Sequence, residues 1–325
     1  MADAVATSFA TLNYSGLLFN KGNTTTPFTT LIGGNRKYTN HVEFITGQEY
    51  NSDHTAAQPG ISETASLTAP DSTLTTRAQK TNVTQIFHGA VAISYAKESN
   101  MGTLSGINIE NQAANPMNEL DFQVGVKMTQ IANDIEYTLL NGTYNKATSD
   151  ATVNKTRGII EAITSNVVAC GNKALTWNDV AKGIKAIHDA NAPTDGLVLI
   201  CDGQTLMDLN ADARTNGMTV YPAARNVNGI AIDTIITPFG EVGILLGKYL
   251  EKTALLVNPS VMSIVEQPVP GKGNFFLEEL AKTGAGTKYQ IFGQVGLDHG
   301  PEWYHLKFTG VGAAPSTGTE TGGKG

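Results

Sequence analysis

Charged residues are scarce in this chain. Asp, Glu, Lys and Arg supply 16% of its 325 residues, against the roughly 25% usual in soluble domains. The balance is acidic, with a formal net charge of -7. A protein that holds nucleic acid by bulk electrostatics needs a basic patch and a high pI, so that class is disfavoured, while enclosing nucleic acid without gripping it fits the composition. Cysteine is scarcer still. Cys170 and Cys201 are the two present, too few for a disulfide framework and without CxxC spacing, and both read as reduced, mostly buried thiols. No basic segment followed by an apolar run opens the sequence, and no stretch approaches the ~18 apolar residues of a membrane span. The expectation is a protein that starts in a cytoplasm and has no membrane partner.

Catalytic signatures are missing as well. There is no nucleophile elbow and no dinucleotide fingerprint. Gly284-Ala285-Gly286-Thr287-Lys288 echoes a phosphate loop, but its spacing is wrong and it falls between two predicted strands, so a hairpin loop is expected. Asp298 to His305 brings His299, Glu302 and His305 close in sequence, yet without the spacing of a helical zinc site, and it reads as a turn leading into a strand. His41, His54, His88 and His188 are scattered over unrelated elements. Glu278 and Glu279 are neighbours on a predicted strand, which points their carboxylates to opposite faces and makes them no acid–base dyad. Asp202 follows a buried strand, where α/β enzymes often place catalytic groups, but its role as a helix N-cap already explains it. No cofactor, no metal ion and no enzymatic activity are expected.

What the chain has in quantity is Thr, Asn and Gly, with 41% hydrophobic residues, enough for real cores at a length that suits about two domains. Its organising stretch is Asn115 to Asn145. Met117, Leu120, Val124, Met128, Ile131, Ile135 and Leu139 recur every three or four residues and so share one stripe of a helix. Asn115 before Pro116 is a start signal and Gly142 supplies the stop, which gives a rod of roughly 26 residues and ~39 Å over 115–141.

Ahead of it, residues 1–34 hold isolated apolar side chains (Phe9, Leu12, Tyr14, Leu17, Leu18, Phe19) without a period. Such a segment cannot bury itself and reads as a frayed end or, preferably, an arm laid on a neighbouring surface. Arg36 to Thr46 predicts a strand through Tyr38, Val42 and Phe44. Thr81 to Ala96 predicts a second, with a bulge near Gly89 where the phase changes. The polar tract Gly47 to Thr76 between them is far longer than ordinary loops, so 35–98 is predicted to be a hairpin excursion ordered by contact with something else.

Beyond the helix, Thr176 caps a helix to Ala190, Gly196 to Cys201 is a strand buried on both faces, and Asp202 caps the helix Gln204 to Arg214. With strands at 229–236, 242–246 and 253–257 these form a compact α/β domain, 164–266. After the break Gln267 to Gly271, the strands Asn274–Ala281, Lys288–Leu297 and Trp303–Thr309 are predicted to make a separate sheet that covers the apolar stripe of the helix. The tail, 311–325, reads as flexible.

This order of parts, α+β overall, resembles the major capsid proteins of tailed bacteriophages, the Hong Kong 97-type fold. Arg77, Thr84-Gln85-Ile86 and Leu280-Ala281-Lys282-Thr283-Gly284 with Gln290 and Gly293 are similar to stretches of that family. The resemblance implies an N-terminal arm (1–34), an extended loop (35–98), a peripheral domain with a long spine helix and a β-sheet (99–163 and 267–310) and an axial α/β domain (164–266). It implies a structural protein that assembles with itself through pentamers and hexamers into an icosahedral shell. The shell would enclose double-stranded DNA without sequence-specific binding. Scaffolding, portal and decoration proteins would be further partners, and the virion, assembled in the host bacterial cytoplasm, its place. Subunit contacts are then expected at Phe9, Tyr14 and Phe19 of the arm, at Tyr50, His54 and Arg77 of the loop, and at Gln123, Lys127, Gln130 and Asp134 off the apolar stripe. The sequence departs from some members in lacking a charged, helical N-terminal scaffolding segment. A cellular nanocompartment shell is the alternative within the class; a hydrolase or binding module built on the α/β domain is the alternative outside it.

Overall fold

The computed structural model describes residues 22–50, 52, 60–69, 74–96, 119–216, 220–227 and 230–312. The spine is helix α3 (Glu119–Asn141), 23 residues long; Asn115, Pro116 and Met117 lie outside the described residues. Ile131, Ile135, Leu139 and Leu140 are buried, whereas Met128, expected on the same stripe, is 41% exposed. The helix is therefore seated along its C-terminal half. Its seat is a five-stranded sheet made of β1 (Arg36–Tyr38), β4 (Gln85–Ser94), β11 (Ser263–Glu266), β12 (Phe276–Glu279) and β13 (Gly286–Asp298). The order is β1-β11-β13-β12, with β4 on the other side of β13.

The register of β4 on β13 runs unbroken from Gln85↔Val295 to Ser94↔Gly286, so the bulge expected at Gly89 is absent. Phe87, Val91 and Ile93 are buried in one continuous phase, and Gly89 occupies the slot beneath the spine, where a Cβ would come within 3.2 Å of Ile131 Cδ1. Gly142 also has a different reason from the one expected. It has no positive φ, so it is not a left-handed cap. A Cβ there would lie 2.5 Å from the carbonyl oxygen of Thr156, because the chain folds back and Gly158 N–H bonds Gly142 O at 2.8 Å.

Two parts of the predicted excursion and arm belong to the body. Arg36 to Thr46 is not one strand: β1 pairs in parallel with β11, and after a break β2 (Glu43–Glu49) pairs with β3 (Ala78–Val83). Within 1–34, α1 (Pro27–Ile32) sends Phe28, Leu31 and Ile32 into the core at 0% exposure. This helix packs on the spine, since its three large apolar residues fall on one helical face.

A seven-stranded sheet carries β5 (Val167–Lys173), β6 (Val198–Cys201), β7 (Val220–Val227), β8 (Ile230–Thr237), β9 (Gly240–Leu246), β10 (Thr253–Val257) and β14 (Leu306–Val311) in the order β5-β14-β10-β6-β9-β8-β7. Trp303 to Thr309 was expected in the sheet under the spine; instead β14 inserts between β5 and β10. Conversely, β11 leaves the α/β unit to pair with β13. The central strands β6 and β10 are buried on both faces, which explains the continuous apolar run of β6. Val198 and Ile200 join the core that holds the spine and α4 (Ile159–Ala162). Leu199 and Cys201 join a second core under α5 (Trp177–Asp189) and α6 (Gly203–Thr215). Both helices start as the sequence reads: Thr176 accepts from Asp179 N–H at 3.3 Å and Asp202 from Thr205 N–H at 2.9 Å.

Candidate assembly interface

Strands β2 and β3 form a ribbon that pairs with no third strand among the described residues. A two-stranded hairpin is marginal in water by itself, and this one carries apolar side chains that the chain does not cover. Ile45 is 48% exposed, Tyr50 68%, Ile61 68%, Leu67 85% and Leu74 94%. Each would gain by burial against another surface, at roughly 25 cal/mol per Å² of apolar area. The tip includes a short helix, α2 (Glu63–Ser66), capped by Ser62. The register irregularity expected at Gly89 is found here instead, between Ile45 and Gly47.

The root of the ribbon is tied to the body by polar groups, the central ones buried. Asn82, at 0% exposure, donates to Leu297 O at 2.8 Å and to Arg157 O at 3.1 Å, and accepts from Arg157 N–H at 2.8 Å. Thr84 Oγ1 donates to Gln267 at 2.7 Å, and Lys146 Nζ reaches Glu43 at 2.5 Å. Lys80 stands between Glu49 at 3.1 Å and Glu302 at 3.8 Å. Burial pushes the Glu302 carboxyl up, but the Ser165 hydroxyl, the N–H groups of Thr164 and Ser165 and the charge of Lys80 outweigh it and hold the group below the usual carboxylate range. The root is stiff and the tip is bare, an arrangement suited to reaching another molecule.

The spine supplies a second surface. Lys127 Nζ donates to Gln130 Oε1 at 2.9 Å; Gln130 and Asp134 are exposed, and Gln123 and Lys127 half-buried. Spaced four, three and four residues apart, these four share one stripe of the helix, along which the stem of Lys127 lies over Gly89. Tyr50 and Arg77 are exposed on the ribbon. Phe9, Tyr14, Phe19 and His54 lie outside the described residues.

Sequence reasoning missed Glu136. It is fully buried in α3, and its carboxylate accepts from Phe28 N–H at 2.9 Å, Thr29 N–H at 2.7 Å and Thr29 Oγ1 at 2.6 Å. It thereby caps α1, whose own N-cap Thr26 makes no side-chain capping bond. Burial drives its pKa up, only partly offset by those donors. The signal was present: an acid beside the apolar stripe with no Lys or Arg three or four residues away. Asn133 and Asn23 exchange bonds at 2.7 and 3.2 Å next to it, and Tyr137 meets Tyr249 edge-on at 5.7 Å.

The groups that drew a catalytic reading are engaged structurally. Asp202 caps α6. Burial pushes the Cys201 thiol up to about 12, far from a thiolate at neutral pH. Glu278 accepts from Lys272 at 2.7 Å and Gln290 at 3.0 Å on a partly exposed face. Among the described residues no three His, Cys, Asp or Glu side chains are placed to hold a metal ion, and no helix is long and apolar enough to cross a membrane.

Residues 2–312 match the family model described as SU10 major capsid protein. The chain belongs to the SU10 major capsid protein family. Its role is that of a structural capsid-shell subunit, which places it in a virion, and the shell is built by self-association. Similar solved structures share the Hong Kong 97-type fold. The capsid asymmetric unit of cyanophage A-1(L) is 10% identical at a TM-score of 0.65, over 94% of this capsid chain and 98% of that one. The holo-SrpI encapsulin complex from Synechococcus elongatus PCC 7942 is 11% identical at 0.61, over 94% and 96%. The capsid of cyanophage P-SCSP1u is 12% identical at 0.54, over 94% of each. No curated protein matches the chain.

Proposed function

We propose that this chain closes, through pentamers and hexamers, into an icosahedral shell that holds packaged double-stranded phage DNA without sequence-specific contact and without catalysis. The observation that carries the reading is the ribbon: five large apolar side chains exposed on an element with a firmly bonded root and, among the described residues, no third strand. A monomer has no use for such a surface, whereas a symmetric assembly buries it once per subunit. The acidic balance supports a wall that does not condense its contents. The arm residues Phe9, Tyr14 and Phe19, the ribbon residues Tyr50, His54 and Arg77, and the spine residues Gln123, Lys127, Gln130 and Asp134 are the proposed contacts between subunits. The ribbon with its tip, residues 43–83, acts as the extended loop, the spine with the five-stranded sheet as the peripheral unit and the seven-stranded sheet as the axial unit. Scaffolding, portal and decoration proteins are the proposed partners, met during assembly in the host cytoplasm.

Electron microscopy of the purified chain under assembly conditions tests this reading: closed shells or capsomers are expected, and a monomer under every condition would overturn it. Replacing residues 50–77 by a short turn should leave β6 and β10 protected from hydrogen exchange yet abolish shells. Normal shells from that variant would remove the ribbon from the interface. The fold shared with the encapsulin complex keeps a nanocompartment as the second reading, and nuclease-protected DNA inside particles from infected cells distinguishes the two.

A further inference from the structure

The most anomalous buried group in the described residues is the ring of His299. It is 1% exposed, and neither ring nitrogen has a protein hydrogen-bond partner. A neutral imidazole so placed leaves a donor and an acceptor unmatched, a cost that an apolar ring of similar shape would not carry. Its backbone, by contrast, is firmly held. His305 Nε2 donates to His299 O at 2.8 Å while His305 Nδ1 accepts from Asn258 N–H at 3.2 Å, which makes His305 a neutral bracket with its proton on Nε2.

The residue after it, Gly300, has φ 64. A Cβ there would meet Val261 O at 2.8 Å, and its own carbonyl oxygen stands 3.4 Å from the Cβ position of Gly47 in β2. The turn at 299–300 is thus the pedestal on which the ribbon root rests. Charged groups face it from every side. Asp298, the last residue of β13, is held by Lys37 of β1 at 2.6 Å and by Gly300 N–H at 3.0 Å. From β3, Lys80 links Glu49 of β2 to Glu302. Arg157, ahead of α4, reaches Thr81 O at 3.4 Å and stacks on Tyr144. Glu302 is already satisfied by Thr164 and Ser165.

We propose that His299 is a proton-operated latch at the root of the ribbon: neutral, it lets the Gly300 turn seat β2 and β3; protonated, it leaves its site and frees the ribbon while both cores stay folded. Burial disfavours the charged ring most; the Gly300 backbone and Asp298 pull the other way, and Arg157 and Lys80 add smaller repulsions, so the balance is against the proton. A ring that gains a proton is therefore driven toward solvent as pH falls below the ordinary histidine range. What moves with it is the turn under Gly47.

The test uses unassembled full-length chain, so its failure leaves the shell reading untouched. Amide exchange, corrected for intrinsic rates, is followed between neutral pH and pH 4, with exchange at the histidine C2 positions recorded in parallel. Protection of β2 and β3 should fall by about tenfold or more across the pH interval in which His299 titrates, with β6 and β10 still protected. H299F should hold ribbon protection at neutral pH and move the acid midpoint down by about one unit, a tenfold change in proton concentration. An unshifted midpoint in H299F, a ribbon that loosens at a pH where His299 does not titrate, or simultaneous loss at β10 would each overturn the latch. Should H299F not fold, the histidine exchange of the unaltered chain decides.

Discussion

Replacing Asn82 by alanine isolates the root of the ribbon. The side chain is fully buried, and its removal strips Leu297 O, Arg157 O and Arg157 N–H of partners that stand at 2.8, 3.1 and 2.8 Å. Leaving a buried polar group unsatisfied costs about 1 to 3 kcal/mol. Water entering the vacated volume recovers part of the loss, so N82A should lower stability by about 3 kcal/mol, a large fraction of the ~5 to 15 kcal/mol typical of a folded protein. N82D should be worse at neutral pH, because a carboxylate would face two carbonyl oxygens, and should recover as acid protonates it. Urea unfolding followed by circular dichroism gives the size, and amide exchange of β2 and β3 gives the place. The strongest loss of protection is expected there. If N82A unfolds within about 0.5 kcal/mol of the parent and the ribbon keeps its protection, the root is not held by this network.

Further outcomes follow from packing and titration. L139A, at a position with 0% exposure, should lower stability by about 2 to 5 kcal/mol in denaturant unfolding, while M128A on the same helix should change it by under about 1 kcal/mol. G89V should weaken the spine's seat, because Ile131 Cδ1 stands 3.2 Å from the Cβ position, and reduced protection of α3 should report it. Burial lowers the His305 pKa to about 4, below its unfolded value. The fold therefore loses stability as pH falls from roughly 6.5 toward 4, by up to about 3 kcal/mol. Glu136 works in the opposite sense: its pKa is raised by burial, so it favours the fold at pH below its folded pKa and loses that contribution as pH rises through it. In E136Q the pH dependence of α1 protection should disappear.

The parts of the fold legible in the sequence were those whose residues carry their own period or cap. The spine declared itself through Ile131, Ile135 and Leu139, and α5 and α6 through Thr176 and Asp202. The continuous run of β6 announced a strand with a core on each side. What the sequence did not disclose was which sheet a strand joins. Leu306 to Val311 alternates equally well beneath the spine or between β5 and β10, and the partners it finds there, Thr253 to Leu256 and Val167 to Ala169, lie fifty residues or more away in sequence. Arg36 to Thr46 alternated across a real break because Tyr38 and Val42 are exposed, at 69% and 39%, and exposed residues need not follow the pleat. The candidate interface was legible as unmatched apolar residues on a long polar tract. Its anchoring was not, since Asn82, Glu302 and Glu136 acquire their partners from segments more than seventy residues away.

The doubly covered seven-stranded sheet has a mechanical consequence for a shell. Val198, Ile200, Leu255 and Val257 of that sheet pack in the same core as Ile131 and Leu139 of the spine, while Leu199, Leu256 and Phe308 lock its other face under α5 and α6. Sliding the sheet against the spine would drag close-packed side chains past one another, which interiors resist. A particle made of such bodies would change size or curvature by re-angling its tiles and flexing the straps between them, each tile keeping its shape.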